Sequence, residues 1–395
     1  MKQNQTRREN LLLKILRYPR TQSLLIAVLA VILSLVAVSM VILIIGKNPL
    51  TVFVSIMRGS GWLPKPNYSV GRSMLTDFLG LLDAMTPMLF AAIAVAIAFK
   101  AGLFNIGISG QMLAAGFLAT VLVGYSQLDA VAAKPLVLLI GMFSGMSLAT
   151  LVGWLKARFN IHEVVSTIMM NYIIQYIVSF MIKGYFIDTV SRTSLAISAE
   201  SRLTLINIPI GDNLTRIPIC FALAILLAIG FYLVLTGTRL GYEIRSVGLN
   251  RTAAEYSGIS VKRTYLLTMA LSGAAAGLAG VTFYLGYYNS ISPGELTRVG
   301  FDSIAVALLA NANPLACVLS ALLITSLNYS SIYMSSAAGI SEYIASLLIG
   351  IVLLFSACSG YFSYLVNRNR ILAASDDDGG EDRANSGSGS PGGET

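Results

Sequence analysis

TRLGYEIRSVGLNRTAAEYSGISVKR, residues 238–263, is the one long charged interruption in a chain that otherwise reads as apolar spans. Seven of its 26 residues are charged, namely Arg239, Glu243, Arg245, Arg251, Glu255, Lys262 and Arg263, and apolar runs flank it on both sides. Asn250 is placed to cap a short helix from Arg251 to Ser257, because its side-chain oxygen can accept from the free N–H groups of a first turn. Gly258 suits the left-handed position that ends such a helix. About two turns are too few to be stable alone, so the segment needs packing against its own protein or a partner.

The 395-residue chain is 55% hydrophobic and 12% charged, with a mean hydropathy of +0.74. Soluble domains carry roughly a quarter charged residues, so this composition excludes one and predicts an all-α polytopic membrane protein. The net charge of +8 does not argue for nucleic acid, since the basic residues lie at the ends of apolar spans. Cys220, Cys317 and Cys358 all fall in apolar runs and read as small core residues rather than disulfide or zinc ligands. There is one histidine, His162, and no HExxH, GxSxG or Walker A spacing. Leu271-Ser272-Gly273 matches the opening of an ATPase signature, but it sits in a continuous apolar helix and is followed by Ala274 and Ala275.

Lys2, Arg7, Arg8, Lys14, Arg17 and Arg20 form a basic arm over residues 1–23. Leu24–Ile45 gives 22 largely apolar residues without an A-x-A site, which reads as an uncleaved, inward-anchored helix. Lys47 to about Leu79 is an outer segment with a short interfacial helix at Leu50–Met57. Further spans are predicted near 80–99, 103–124, 135–155, 164–182, 217–235, 264–288, 301–311, 314–334 and 343–366. About ten helices thus fill a transmembrane domain over 24–366, some broken or half-length, with the N and C termini cytoplasmic. This threading puts 17 of the 27 lysines and arginines inside, as the positive-inside bias requires. The tail at 367–395, with six acidic residues among Gly and Ser, cannot bury a core and is expected to be disordered.

Three stretches break the helical pattern. GLFNIGISGQ at 102–111 opens a span with Gly107 and Gly110, which let backbones approach or the helix break. Phe301–Asn311 covers only about 16 Å, roughly half a bilayer. Asn311-Ala312-Asn313-Pro314 then turns the chain. A half-helix ending at membrane depth is tolerated only where protein or a water-filled cavity surrounds it, a transporter-like sign.

Glu163, Thr167, Asn171, Gln175 and Ser179 recur every four residues as one polar ridge flanked by Tyr172 and Tyr176. The ridge either lines a path for a polar solute or bonds neighbouring helices at about 0.6 kcal/mol per group. Asp83, Asp302 and Glu163 are acidic residues near membrane depth and are functional candidates. Their structural alternatives are an N-cap of the half-helix for Asp302, the outer interface for Asp83 and the inner one for Glu163. Candidate pathway residues are therefore Asn105, Gln111, Thr167, Asn171, Tyr172, Gln175, Asp302 and Asn311. Ser272, Gly273, Ala276, Gly277 and Gly280 read as a small-residue stripe for close helix contact.

Five segments, AGLFNIGISGQML (101–113), HEVVSTIMMNYI (162–173), GYEIRSVGLNRTAAEYSGI (241–259), LSGAAAGLAG (271–280) and GFDSIAVALLANANPL (300–315), follow in order over roughly residues 80–360. Together they resemble the permease subunits of bacterial ABC importers in the branched-chain amino acid, simple sugar and nucleoside group, most of all the nucleoside permeases. Ala310-Asn311-Ala312 departs from that pattern, where related sequences tend to have Gly-Arg or Gly-Asn. The resemblance implies a bacterial plasma-membrane assembly of two permeases, two ABC ATPase subunits and an extracytoplasmic solute-binding protein. It implies no cofactor on this chain, with ATP and Mg used by the partner ATPase, and no catalysis here. Residues 241–259 would be the coupling segment, with Glu243, Arg245, Gly248, Asn250, Ala253, Ala254 and Gly258 as docking candidates. The implied activity is alternating-access import of a nucleoside. The alternatives are import of ribose, another sugar or a branched-chain amino acid, or an ion-coupled secondary transporter working through Asp83 or Asp302.

Overall fold

Helix ends in this chain are written locally, by caps and left-handed residues, and the computed structural model follows them over residues 19–210, 213–339 and 343–357. Two units partition the chain, Met1–Val41 with Gly350–Thr395, and Ile42–Ile349. α1 (Pro19–Ile44) belongs mostly to the first. In the second, α2 (Pro49–Gly59) starts where the Asn48 side chain accepts from the Leu50 N–H at 2.9 Å and Pro49 has no N–H to satisfy. α3 (Met74–Lys100) opens with the Thr76 hydroxyl accepting from the Ser73 N–H and stops at Gly102, whose φ is +68°. Next come α4 (Ile108–Ala119), prolonged by a π-helical turn at Thr120–Gly124, and α5 (Ala130–Phe159), closed by left-handed Asn160. α6 (Glu163–Met181) also ends in a π-helical turn, Ile182–Phe186.

β1 (Thr204–Ile210) and β2 (Asn213–Pro218) then form an antiparallel hairpin, Thr204 opposite Pro218 and Ile210 opposite Asn213. The all-α expectation is corrected here. Both strands are short, Ile- and Thr-rich and interrupted by proline, a pattern that fits edge strands and gives almost no periodic signal.

The remaining elements are α7 (Ile219–Gly237), α8 (Arg239–Leu249), α9 (Arg251–Tyr256), α10 (Val261–Thr282) with a π-helical turn at Phe283–Tyr287, α11 (Val299–Leu309), α12 (Ala316–Tyr329), α13 (Ser331–Ala338) and α14 (Tyr343–Ala357). Among the described residues, α3, α5, α6 with its turn, α7 and α10 with its turn are long and apolar enough to cross a membrane, and two bent pairs, α1 with α2 and α12 with α13, raise five to seven. The expected spans at 103–124 and 301–311 are the shorter apolar helices Ile108–Gly124 and Val299–Leu309. Residues 358–366, the 367–395 tail and most of the 1–23 arm lie outside the described residues.

α10 is the centre of the packing, against α5, α3 and α4. Its small-residue stripe has a counterpart on α5, which the sequence reading did not pair with it. A Cβ on Gly277 would meet the Gly141 carbonyl oxygen, and one on Gly145 would meet the Gly273 carbonyl oxygen, so the two backbones touch. On the next face, Gly280 lies against the Met112 carbonyl of α4.

The hairpin is pinned to α3 by one buried bond. Asp83, 2% exposed, accepts from the Thr204 hydroxyl at 2.7 Å, and its second oxygen has no hydrogen-bond partner. The hairpin therefore covers Asp83. Thr204→Val would leave a buried carboxyl with no donor and should lower stability by about 1–3 kcal/mol. The check is the thermal midpoint in detergent; an unchanged midpoint would remove this bond from the account.

Candidate solute cavity and docking face

The charged segment folds as two short helices with a shared hinge. The Thr238 hydroxyl accepts from the Gly241 N–H at 3.1 Å to start α8, and Asn250 Oδ1 accepts from the Ala253 N–H at 3.1 Å to start α9. Gly258 ends the segment at φ +81°. Ile244, Val247 and Ala254 turn inward and pack with Ala98, Leu103, Val152, Tyr265 and Met269. A Cβ on Gly248 would meet the Lys100 carbonyl, so α8 lies directly on the end of α3. Lys100 Nζ in turn donates to the Asn311 carbonyl at 3.2 Å, in a turn where Asn311 and Ala312 are both left-handed, φ 51° and 52°. Nearby, Lys156 pairs with Glu163 to tie α5 to α6, and the Lys156 and Arg251 cations sit over the Tyr265 ring at 5.4 and 5.9 Å. One end of the chain thus gathers α8, α9, the end of α3, the α5–α6 connection and the α11–α12 turn.

Of the docking candidates, Arg245, Gly248, Asn250, Ala253 and Gly258 are exposed, and Glu243 is held by Arg239 at 3.0 Å. Ala254 is 4% exposed, inside the chain's own packing, so a tryptophan there would report on folding rather than docking. Leu249 and Tyr256, which are not among those candidates, are 88% and 91% exposed. The available signal was their offset from the buried Ile244–Val247 face.

The polar ridge on α6 is taken up by neighbouring backbone. Asn171 Oδ1 accepts from the Gly110 N–H at 2.8 Å while its Nδ2 donates to the Ile106 carbonyl at 3.0 Å, clasping the start of α4. Gln175 Nε2 donates to the Gly294 carbonyl at 2.5 Å, and the Ser179 hydroxyl accepts from the Gly294 N–H at 2.7 Å. Thr167 bonds back to the Glu163 carbonyl of its own helix. Tyr172 and Tyr176 are exposed on the other side. Asn105 and Gln111 bond each other, and Asn105 Nδ2 donates to Ser272 Oγ at 2.9 Å.

A cavity of about 660 Å³ lies elsewhere, between α3, the π-helical turn after α10, the loop before α11, α11 and α12. Asp302 borders it; the other seven pathway candidates do not. Its aromatic side is Phe283, Tyr284, Tyr287, Tyr288 and Tyr329, with the Tyr287 and Tyr288 rings crossed at 4.9 Å and Phe283 against Tyr288 at 5.0 Å. Its polar side carries Glu295, Arg298, Asp302, Thr325 and Asn328. Asp302 does not cap α11, which begins at Val299; its Oδ2 accepts from Asn328 Nδ2 of α12 at 3.1 Å. The N-cap alternative is corrected by that helix start, four residues nearer the amino terminus than a cap at 302 requires. π-helical turns recur at functional sites, and the one at Phe283–Tyr287 sets this run of rings out of α-helical register.

Among the described residues, five to seven helices long and apolar enough to cross a membrane define a class, a polytopic membrane protein. Residues 78–357 match the family described as branched-chain amino acid transport system / permease component, and the chain belongs to it. Among its relatives are the guanosine ABC transporter permease NupP of Bacillus subtilis, 32% identical over 88% of this chain and 97% of that one, and the nucleoside ABC transporter permease NupB of Lactococcus lactis, 31% identical over 90% and 97%. The glucose ABC transporter permease TsgB13 of Haloferax volcanii is 28% identical over 73% of this chain and 78% of its own.

Proposed function

We propose that this chain is the transmembrane subunit of an ATP-driven ABC importer that moves a nucleoside inward across a bacterial plasma membrane. The single observation that carries the solute class is the cavity, whose ring wall suits a flat base and whose amide, hydroxyl and carboxylate suit a neutral polar solute. The two relatives named for guanosine and nucleoside transport support the same choice. In this reading α8 and α9 face the cytoplasm and rest on a partner ATPase, which binds ATP and Mg. The hairpin and the loop before α11 face the extracytoplasmic solute-binding protein. A second permease subunit completes the path. Closure of the ATPases pushes on α8, and the Gly248–Lys100–Asn311 contacts carry that push to one end of each of α3, α11 and α12, helices that border the cavity farther along, at Ala84 and Met88, Asp302, and Thr325 and Asn328.

The test is to purify the chain gently with its partners and to measure ATP-dependent uptake of labelled guanosine, uridine, ribose and leucine. Nucleoside uptake that needs a co-purifying ATPase is the expected result. Uptake of ribose or leucine alone would move the solute to another branch of the family, and uptake abolished by a protonophore without any ATPase would replace the reading by ion coupling.

A further inference from the structure

Resting on the nucleoside reading, the cavity lining combines two chemistries. Phe283, Tyr287 and Tyr288 are in mutual ring contact in that lining, and aromatic rings are the groups against which a flat solute packs. Opposite in chemistry is the pair Asp302 and Asn328. The Asp302 carboxylate can only accept when ionised, and its hydrogen bond among the described residues is the single one from Asn328. No cation lies within 4.0 Å of it among the described residues, although Arg298 is one helical turn away. Acceptor capacity on this carboxylate is therefore left over, at a cavity wall.

Thr325 adds an independent sign. It borders the same cavity one turn before Asn328 on α12, is 3% exposed, and its hydroxyl has no hydrogen-bond partner. Buried hydroxyls nearly always have a partner, so this one, buried beside the cavity, gains a partner when its rotamer turns toward a ligand group. Charge completes the description. Glu295 and Asp302 against Arg298 leave the lining with one excess negative charge, which opposes a phosphate and asks nothing of a neutral solute.

We propose that Asp302, keyed by Asn328, accepts both hydroxyls of a ribose cis-diol, with Thr325 as a further polar contact and the base against the Phe283–Tyr287–Tyr288 wall. A vicinal diol offers two O–H donors side by side, which matches the two oxygens of a carboxylate, and an acidic side chain on ribose hydroxyls is a recurring solution in nucleotide-binding folds. The permease then selects for itself, beyond whatever its binding protein delivers: unphosphorylated ribonucleosides pass, while 2′,3′-dideoxynucleosides and nucleoside monophosphates are disfavoured.

The experiment uses the complete importer in proteoliposomes with its ATPase and binding protein. It measures concentration-dependent uptake of uridine, 2′,3′-dideoxyuridine and uridine 5′-monophosphate by the unaltered permease and by Asp302→Asn and Thr325→Val. Since the binding protein is the same throughout, any change in the ratio belongs to the cavity. Asp302→Asn should lower kcat/KM for uridine about tenfold or more and for dideoxyuridine less than twofold, a loss of ribose discrimination worth about 1.4 kcal/mol per tenfold. Thr325→Val, which removes an unpaired hydroxyl at nearly constant shape, should lower uridine uptake severalfold without lowering the thermal midpoint. Equal losses for both nucleosides, or none, in an assembled Asp302→Asn importer would overturn the diol assignment while leaving nucleoside import intact. If that variant does not assemble, the unaltered importer decides: 2′,3′-dideoxyuridine carried as efficiently as uridine overturns the assignment. An unaltered importer that carries neither nucleoside would instead remove the reading on which the assignment rests.

Discussion

Asn171→Leu should leave little or no folded permease, whereas Tyr172→Leu, one residue further along the same helix, should leave its amount and thermal midpoint nearly unchanged. Asn171 is 2% exposed and bonds both a donor and an acceptor of the segment that opens α4. Replacing it by leucine orphans the Gly110 N–H and the Ile106 carbonyl together, about 1–3 kcal/mol for each buried group. Leucine must also fit where α4 and α6 already approach closely, since a Cβ on Gly110 would stand 2.6 Å from Asn171 Oδ1. A total of about 2–6 kcal/mol plus strain is comparable with the whole stability of a typical domain. Tyr172 is 51% exposed, and an exposed substitution is ordinarily worth less than about 0.5 kcal/mol. Size-exclusion chromatography of detergent extracts after stepwise heating separates the cases. Equal midpoints for the two variants would show that the Asn171 clasp does not hold α4.

That contrast also shows what the sequence made legible. The four-residue spacing of Thr167, Asn171 and Gln175 announces a polar ridge, but it is the same spacing for a solute path and for bonds to Gly110 and Gly294. Hydropathy reports depth in the membrane and says nothing of which way a face turns. Features written within a few residues were readable: the Asn250 cap, the left-handed Gly258, the short α11, the turn at Asn311–Pro314 and the small-residue stripe on α10. Features that need a partner far away in sequence were not. Gly141 and Gly145 look like any glycines of an apolar span until Gly273 and Gly277 are set against them. The cavity draws on rings at 283–288 and on Thr325 and Asn328, which in sequence are merely the end of one span and the interior of another. In sequence Asp302 is an acid at membrane depth, but the start of α11 at Val299 decides that it turns to Asn328 and not to its own helix end.

The double substitution Leu249→Ser with Tyr256→Ser should cut uptake by tenfold or more in a permease that folds normally. Both side chains are almost wholly exposed, so removing them takes nothing from the packing of Ile244, Val247 and Ala254 on the opposite face. A single exposed apolar residue is ordinary. Two of them either side of the Asn250 cap, with half-exposed Tyr242 on the same segment, are what a partner surface needs, because large apolar and aromatic anchors carry most of the energy of an interface. Each is worth on the order of 2 kcal/mol by that standard, and tenfold in affinity corresponds to about 1.4 kcal/mol. The loss should fall on coupling rather than on solute delivery, since the cavity lining lies on other elements. ATP hydrolysis and uptake measured on one preparation make the distinction: hydrolysis that persists, or is lost with the ATPase from the complex, while uptake collapses supports docking through α8 and α9. Uptake at the unaltered rate would mean that the ATPase grips this chain somewhere else, and the chain of contacts from Gly248 through Lys100 to Asn311 would then have no force to carry.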